Sequence, residues 1–183
     1  MAKPRILQQN RLETKLGKKP GFLYVPDNSF HTRLFLMSFD ETDLHEQEYT
    51  DYQELISYIQ SNPEQRHWLD VRGYADIEVL EKIAQEFQIH ALQLEDVIND
   101  YQRPKAEEEN DRLFLVSRMI ALTPEHLIKD DQLSIFTGPN YVITFQIDYD
   151  DCLEPLRVRI RAGKGIIRKK PPLYMAYAIM DVV

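Results

Sequence analysis

A single cysteine, a single tryptophan and six glycines in 183 residues leave little room for several classes of protein. Cys152 has no partner for an internal disulfide and no companions at zinc-ligand spacing, so a reducing compartment is the default. No apolar run approaches the roughly 20 residues that a membrane-spanning helix needs. The densest stretches are Leu113–Leu122, interrupted by Arg118, and Tyr174–Val183. The first residues, MAKPRILQQNRLETKLGKK, are basic and polar without an apolar centre, which excludes a signal peptide. There is no phosphate-cradling glycine loop, no HExxH and no GxSxG, and the five histidines (31, 45, 67, 90 and 126) are scattered at non-ligand spacings. No nucleophile, base or substrate pocket can be named, so the chain does not read as an enzyme. No internal repeat or low-complexity segment is visible.

What is present is ordinary for a globular protein: 43% hydrophobic and 28% charged residues. A chain of this length suits one domain that buries about 70% of its unfolded surface. The net charge of −8 makes it a poor generic partner for nucleic acid and a plausible one for cations. Residues 1–20 show no period and read as a flexible N-terminal segment, with Pro20-Gly21 marking entry to a folded domain over 21–183.

Within that domain Phe22–Val25, Arg33–Phe39 and His45–Tyr49 read as strands. Tyr52, Leu55, Ile56 and Ile59 then fall on one helical face, and Asn62-Pro63 stops the helix. His67–Val71 reads as a buried strand. Asp76 is placed to cap a second helix with the stripe Ile77, Leu80, Ile83 and Phe87. A third helix runs from about His90, a cap or turn residue, to Asn99. Leu113–Leu122, Leu133–Thr137 and Tyr141–Gln146 read as strands, the last two joined by the hairpin signal Gly138-Pro139-Asn140. Glu154–Ala162 and Pro171–Val183 read as helices, the latter with two prolines in its first turn. Alternating and hairpin connections together predict an α/β sandwich around a mixed sheet. The run Tyr174–Val183 has no Gly, no Pro and no basic last turn, and so reads as part of a helix continuing past Val183.

Three carboxylates crowd the third helix, HALQLEDVIND. Leu94, Val97 and Ile98 define its buried side, and Glu95, Asp96 and Asp100 lie toward its C-terminal end, where the helix dipole disfavours anions. Hard oxygen donors gathered this way suit Mg2+ or Ca2+; a solvated polar face with nearby Arg or Lys partners is the plainer alternative. Asp181 falls on the helical face of Tyr174, Tyr177 and Ala178, where a carboxylate finds a cation or a hydroxyl partner, or else is exposed. Residues 157–170 hold seven basic side chains and no acid. A solvated patch, or an intersubunit or juxtamembrane surface, fits this run better than nucleic-acid binding, since no aromatic residues interleave it.

The segment WLDVRGYADIEVLEKIAQEFQIHALQLEDVINDYQRPKAEE is similar to the signature of the CorA family of magnesium channels. The match runs through Trp68, Gly73, His90, Leu94, Glu95, Asp96, Asn99, Gln102, Arg103, Pro104 and Lys105. DDQLSIFTGPNYVITFQ resembles that family's strand pair. PLRVRIRAGKGIIRKK resembles its RxRIRxxxGxIRK motif through Arg157, Arg159, Ile160, Arg161, Gly165, Ile167, Arg168 and Lys169, and Tyr174 and Asp181 follow in register. The resemblance implies an α/β/α cytosolic domain with a mixed sheet, from a homopentameric channel of the inner membrane for Mg2+ that also passes Co2+ and Ni2+. It implies cations (Mg2+, with Co2+, Ni2+ or Ca2+ possible) bound between subunits at Glu95, Asp96 and Asp181; Asp100 is a further candidate from its place at the same helix end. It further implies no nucleic-acid partner, and contact with the membrane only through helices beyond Val183. A ZntB-like zinc transporter domain and a stand-alone scaffold of the same fold are the alternatives.

Overall fold

The computed structural model describes residues 17, 19–26, 28–99, 101–123 and 126–183. Seven strands form one sheet in the order β2-β1-β3-β7-β6-β5-β4: β1 (Arg33–Phe39), β2 (Leu44–Tyr49), β3 (Arg66–Arg72), β4 (Lys105–Glu109), β5 (Arg112–Leu122), β6 (Ile128–Thr137) and β7 (Tyr141–Gln146). Only β3 and β7 pair in parallel; every other neighbour is antiparallel. Among the described residues five α-helices cover the sheet: α1 (Tyr52–Ser61), α2 (Ile77–Glu86), α3 (Ala91–Ile98), α4 (Glu154–Arg161) and α5 (Pro172–Met180), with a short 3-10 turn at Ile167–Lys169.

Strand side chains alternate between faces, and the core divides accordingly. Leu34, Leu36, Leu69, Val71, Phe114, Val116, Ile143 and Phe145 point to one face and pack with Leu55, Leu80, Ile83, Leu94 and Val97 of α1, α2 and α3. Met37, Phe39, Trp68, Leu133, Ile135 and Val142 point to the other, against Leu156 and Ile160 of α4 and Ala176 and Ile179 of α5. The architecture is thus the expected three-layer sandwich with a mixed central sheet.

Local expectations fared unevenly. β1, β2, β3, β5 and β7 and all five helices stand within a few residues of their predicted positions, and β6 begins five residues earlier than Leu133. Phe22–Val25 forms no strand; Leu23 and Val25 instead pack as isolated side chains against the first core layer. Lys105–Glu109 is a strand, hidden in the sequence by its charge. An exposed edge tolerates such composition, and charge there discourages pairing with other chains. Asp76 sits at the N-cap of α2 but makes no cap bond there; its carboxylate accepts from the Thr32 amide at 2.8 Å.

The second layer is fastened by a buried ionic network. Arg157 on α4 donates to Asp70 on β3 at 2.8 Å, to Asp151 at 2.5 Å, and stacks over Trp68 with its guanidinium carbon 5.1 Å from the ring centre. Arg72 reaches the same Asp70 oxygen at 2.7 Å, and the other oxygen accepts from Thr144 at 2.8 Å. Burial would raise the Asp151 carboxyl, but its bonds from Arg157 and Gln146 outweigh that and lower it to about 2. Arg168 is also buried and donates to the carbonyl of Ile160 at 2.8 Å. Two members of the basic run are therefore interior structural groups, not a solvated patch.

Removing one partner of such a network strands the others without solvent. Arg157→Ala is expected to cost about 3–5 kcal/mol in urea denaturation. The Asp151 contribution is present above its ordinary value of 3.8 and is lost as pH falls toward about 2. An Asp151→Asn variant should therefore lack the part of the acid-induced fall in stability that the parent shows between those values.

Candidate functional site

Helix α3 begins with a closed cap. The His90 ring accepts from the Leu92 amide at 3.2 Å, and the Gln93 side chain accepts from the His90 amide at 3.1 Å. His90 is structural, as its position before the helix suggests. Leu94, Val97 and Ile98 bury the inner face of the helix, as their spacing predicts. The opposite end holds the two carboxylates of interest.

Neither is idle within the chain. Glu95 accepts from the Gly21 amide at 2.8 Å, tying the incoming segment to α3. Gly21 has φ +82, and a Cβ there would meet the Cβ of Ala91 at 3.2 Å, so the close approach requires glycine. Asp96 is not turned to solvent. Its two oxygens accept from the Gln102 side chain at 2.5 Å and the Lys105 ammonium at 2.7 Å, and its side chain is only 21% exposed. Lys105 is shared: it also reaches Glu107 at 2.5 Å. Partial burial pulls the Lys105 ammonium down, but these two carboxylates outweigh it and hold it above its ordinary value. The same hydrogen bond lowers Glu107.

The carbonyls at this helix end have their own partner. Gln132, almost fully buried on β6, donates to the Asp96 carbonyl at 2.8 Å and accepts from the Gln102 amide at 3.2 Å. The unfavourable dipole is thus met by a cation, Lys105, and by an amide, Gln132. Lys105 and Gln102 lay in the QRPK segment without an assigned role. Gln132 was unassigned too; its signal is a polar residue at an inward position of a buried strand.

Asp181 is exposed at the C-terminal end of α5, where its amide bonds to the Tyr177 carbonyl at 2.9 Å. Helix α5 belongs to the layer opposite α3. One chain therefore brings Glu95 and Asp96 together but leaves Asp181 on the other side of the sheet. Asp100 lies outside the described residues. Among the described residues no group of three or more His, Cys, Asp or Glu side chains is arranged to hold a metal ion. The donor chemistry nonetheless fits a hard cation: Glu95, Asp96 and Asp181 all offer carboxylate oxygens. No helix among the described residues is long and apolar enough to cross a membrane.

Residues 63–183 match the family model described as CorA-like Mg2+ transporter protein. The chain is 30% identical over 179 residues to the cobalt/magnesium transport protein CorA of Thermotoga maritima, which covers 97% of this chain and 50% of that protein. It spans about half the length of that curated relative. Two solved structures from Methanocaldococcus jannaschii share the fold. The complete structure of the CorA magnesium transporter aligns with a TM-score of 0.58 at 16% identity over 88% of this chain and 45% of that one. The soluble domain of CorA aligns with a TM-score of 0.56 at 14% identity over 80% and 54%.

The Glu95–Gly21 bond makes a measurable claim. Glu95→Ala should cost about 1 kcal/mol and speed amide hydrogen exchange at Gly21–Val25. Gly21→Ala should reproduce the loss by crowding Ala91. Chemical denaturation and exchange mass spectrometry check both.

Proposed function

The chain belongs to the CorA-like Mg2+ transporter family, and from that premise we propose that it is the cytosolic, divalent-cation-sensing domain of a homopentameric Mg2+/Co2+ channel. In this reading Mg2+ bridges Asp96, with Glu95 beside it, on one subunit to an acidic group of the next, Asp181 being the candidate within this chain. Bound Mg2+ favours the closed ring; when it leaves, the carboxylates repel and the ring loosens. The observation that supports this best is the sheet between α3 and α5, which keeps Asp181 from reaching Asp96 in its own subunit and leaves a neighbour as its route.

The ion has a competitor. Asp96 already holds Lys105, so a cation arriving at Asp96 displaces the ammonium. Lys105 keeps Glu107 when this happens, which lowers the cost of the exchange. The net gain at one site is small, and symmetry must multiply it. One site at ten times its Kd contributes about 1.4 kcal/mol. Moving a gate from 1:99 to 99:1 takes about 5.5 kcal/mol. Five equivalent sites give about 7 kcal/mol, which is sufficient.

In the full-length channel, Asp96→Ala should weaken inhibition of transport by internal Mg2+ by at least about tenfold in concentration. Lys105→Met should move the same curve the opposite way, because the competing cation is gone. Flux assays across a Mg2+ series read both. An Asp96→Ala channel with unchanged Mg2+ inhibition would sink the reading.

A further inference from the structure

The turn from α2 into α3 and the tip of the β4–β5 hairpin enclose a half-open cavity of about 580 Å³. Its walls follow from two backbone turns. Helix α2 closes with the Ile89 amide donating to the Ala84 carbonyl at 2.8 Å and the Gln88 amide to the Gln85 carbonyl at 3.3 Å. That closure puts Gln88 in the left-handed region, φ 55, where glycine is the usual choice. The hairpin turns through Asn110 and Asp111, with φ 51 and 62, which sets Glu109 opposite Arg112.

Arg112 shares the sheet face of Phe114, which α2 and α3 cover. Its guanidinium donates to the Phe87 carbonyl at 3.3 Å, and the Tyr141 hydroxyl donates to the same oxygen at 3.3 Å. Although half-buried, Arg112 pairs with no carboxylate of the described residues, Glu109 included. The carboxamides of Gln85, Gln88 and Asn110 line the same cavity and hold no hydrogen bond within the described residues. The start of α3 is already served by its own cap, so the guanidinium and the carboxamides are what the cavity offers. His90 adds one donor. Its Nδ1 accepts from the Leu92 amide, which leaves the proton of the neutral ring on Nε2.

We propose that this cavity binds a ribonucleoside monophosphate, with its phosphate on Arg112 and its base edge against the carboxamides. A guanidinium without a carboxylate presents a planar pair of donors that matches phosphate oxygens. Each carboxamide offers a donor beside an acceptor, the alternation that a base edge carries. The cavity has the size of a small-molecule site and far exceeds what a lone oxyanion fills. A single guanidinium suits one phosphate group, and Glu109 beside it repels a second while accepting from a ribose hydroxyl. Gln88 fits the same reading: glycine would suit its backbone better, whereas glutamine keeps a carboxamide at the cavity. The cavity lies at the end of α3 away from Asp96, so the proposal stands apart from cation sensing.

Titration calorimetry of the 183-residue chain in EDTA tests it, with the four ribonucleoside monophosphates as probes and inorganic phosphate and the free nucleosides beside them. At least one nucleotide should bind with a Kd below about 1 mM, and phosphate and the matching nucleoside should each bind at least about tenfold more weakly. Arg112→Met should weaken nucleotide binding at least about tenfold and still fold, because the Tyr141 hydroxyl continues to serve the Phe87 carbonyl. Gln88→Gly separates binding from folding. It should weaken the nucleotide several-fold while the thermal midpoint holds or rises, since glycine takes the left-handed conformation without cost. No nucleotide binding with a Kd below about 1 mM, phosphate alone binding as tightly as the nucleotide, or an affinity unmoved in either variant each overturns the proposal.

Discussion

A strand can bury only every second side chain on a given face, and most of what this molecule does with its charges follows from that restriction. Seven strands in one layer create two interiors that do not communicate. α1, α2 and α3 close the first, α4 and α5 the second. Groups that the linear sequence offers as one constellation are consequently sorted to opposite sides. Glu95 and Asp96 go with the first layer and Asp181 with the second. The sheet is thus a spacer as well as a scaffold: within one chain it holds Asp181 in a different layer from Glu95 and Asp96.

Charge is used differently in the two layers. In the second, Asp70, Asp151, Arg72 and Arg157 are closed off from water and satisfied by one another and by Thr144 and Gln146. Such groups rigidify a core because none can leave without stranding the rest. At the end of α3 the carboxylates are only partly covered, and each has a partner that belongs to a neighbouring loop or strand. The first arrangement fixes geometry. The second is the kind of site where an exchange of partners is affordable.

Much of this was legible in the sequence, and the exceptions have physical reasons. Among the described residues, period-two and period-3.6 patterns located most strands and every helix because both faces of the sheet are packed. β4 escaped notice because an edge strand need not be apolar, and KAEEE looks like a solvated loop. Phe22–Val25 has the composition of a strand, but a strand needs an edge to pair with, and composition does not report that. Glu95, Asp96 and Asp181 were picked out by type and position, whereas their partners were not. Lys105 lies nine residues from Asp96 and Gln132 thirty-six, distances that only the folded chain closes. Arg157 and Arg168 looked like surface cations because sequence shows charge and conceals burial.

The lysine between Asp96 and Glu107 has a consequence of its own. A tethered ammonium never diffuses away, so it acts as a permanently present rival at high effective concentration. Sodium or potassium arriving from solution offers Asp96 no more charge than the rival already supplies. Only an ion of higher charge density gains by the exchange. In the proposed sensing role the lysine would therefore work as a built-in reference electrolyte, setting a floor of discrimination by valence.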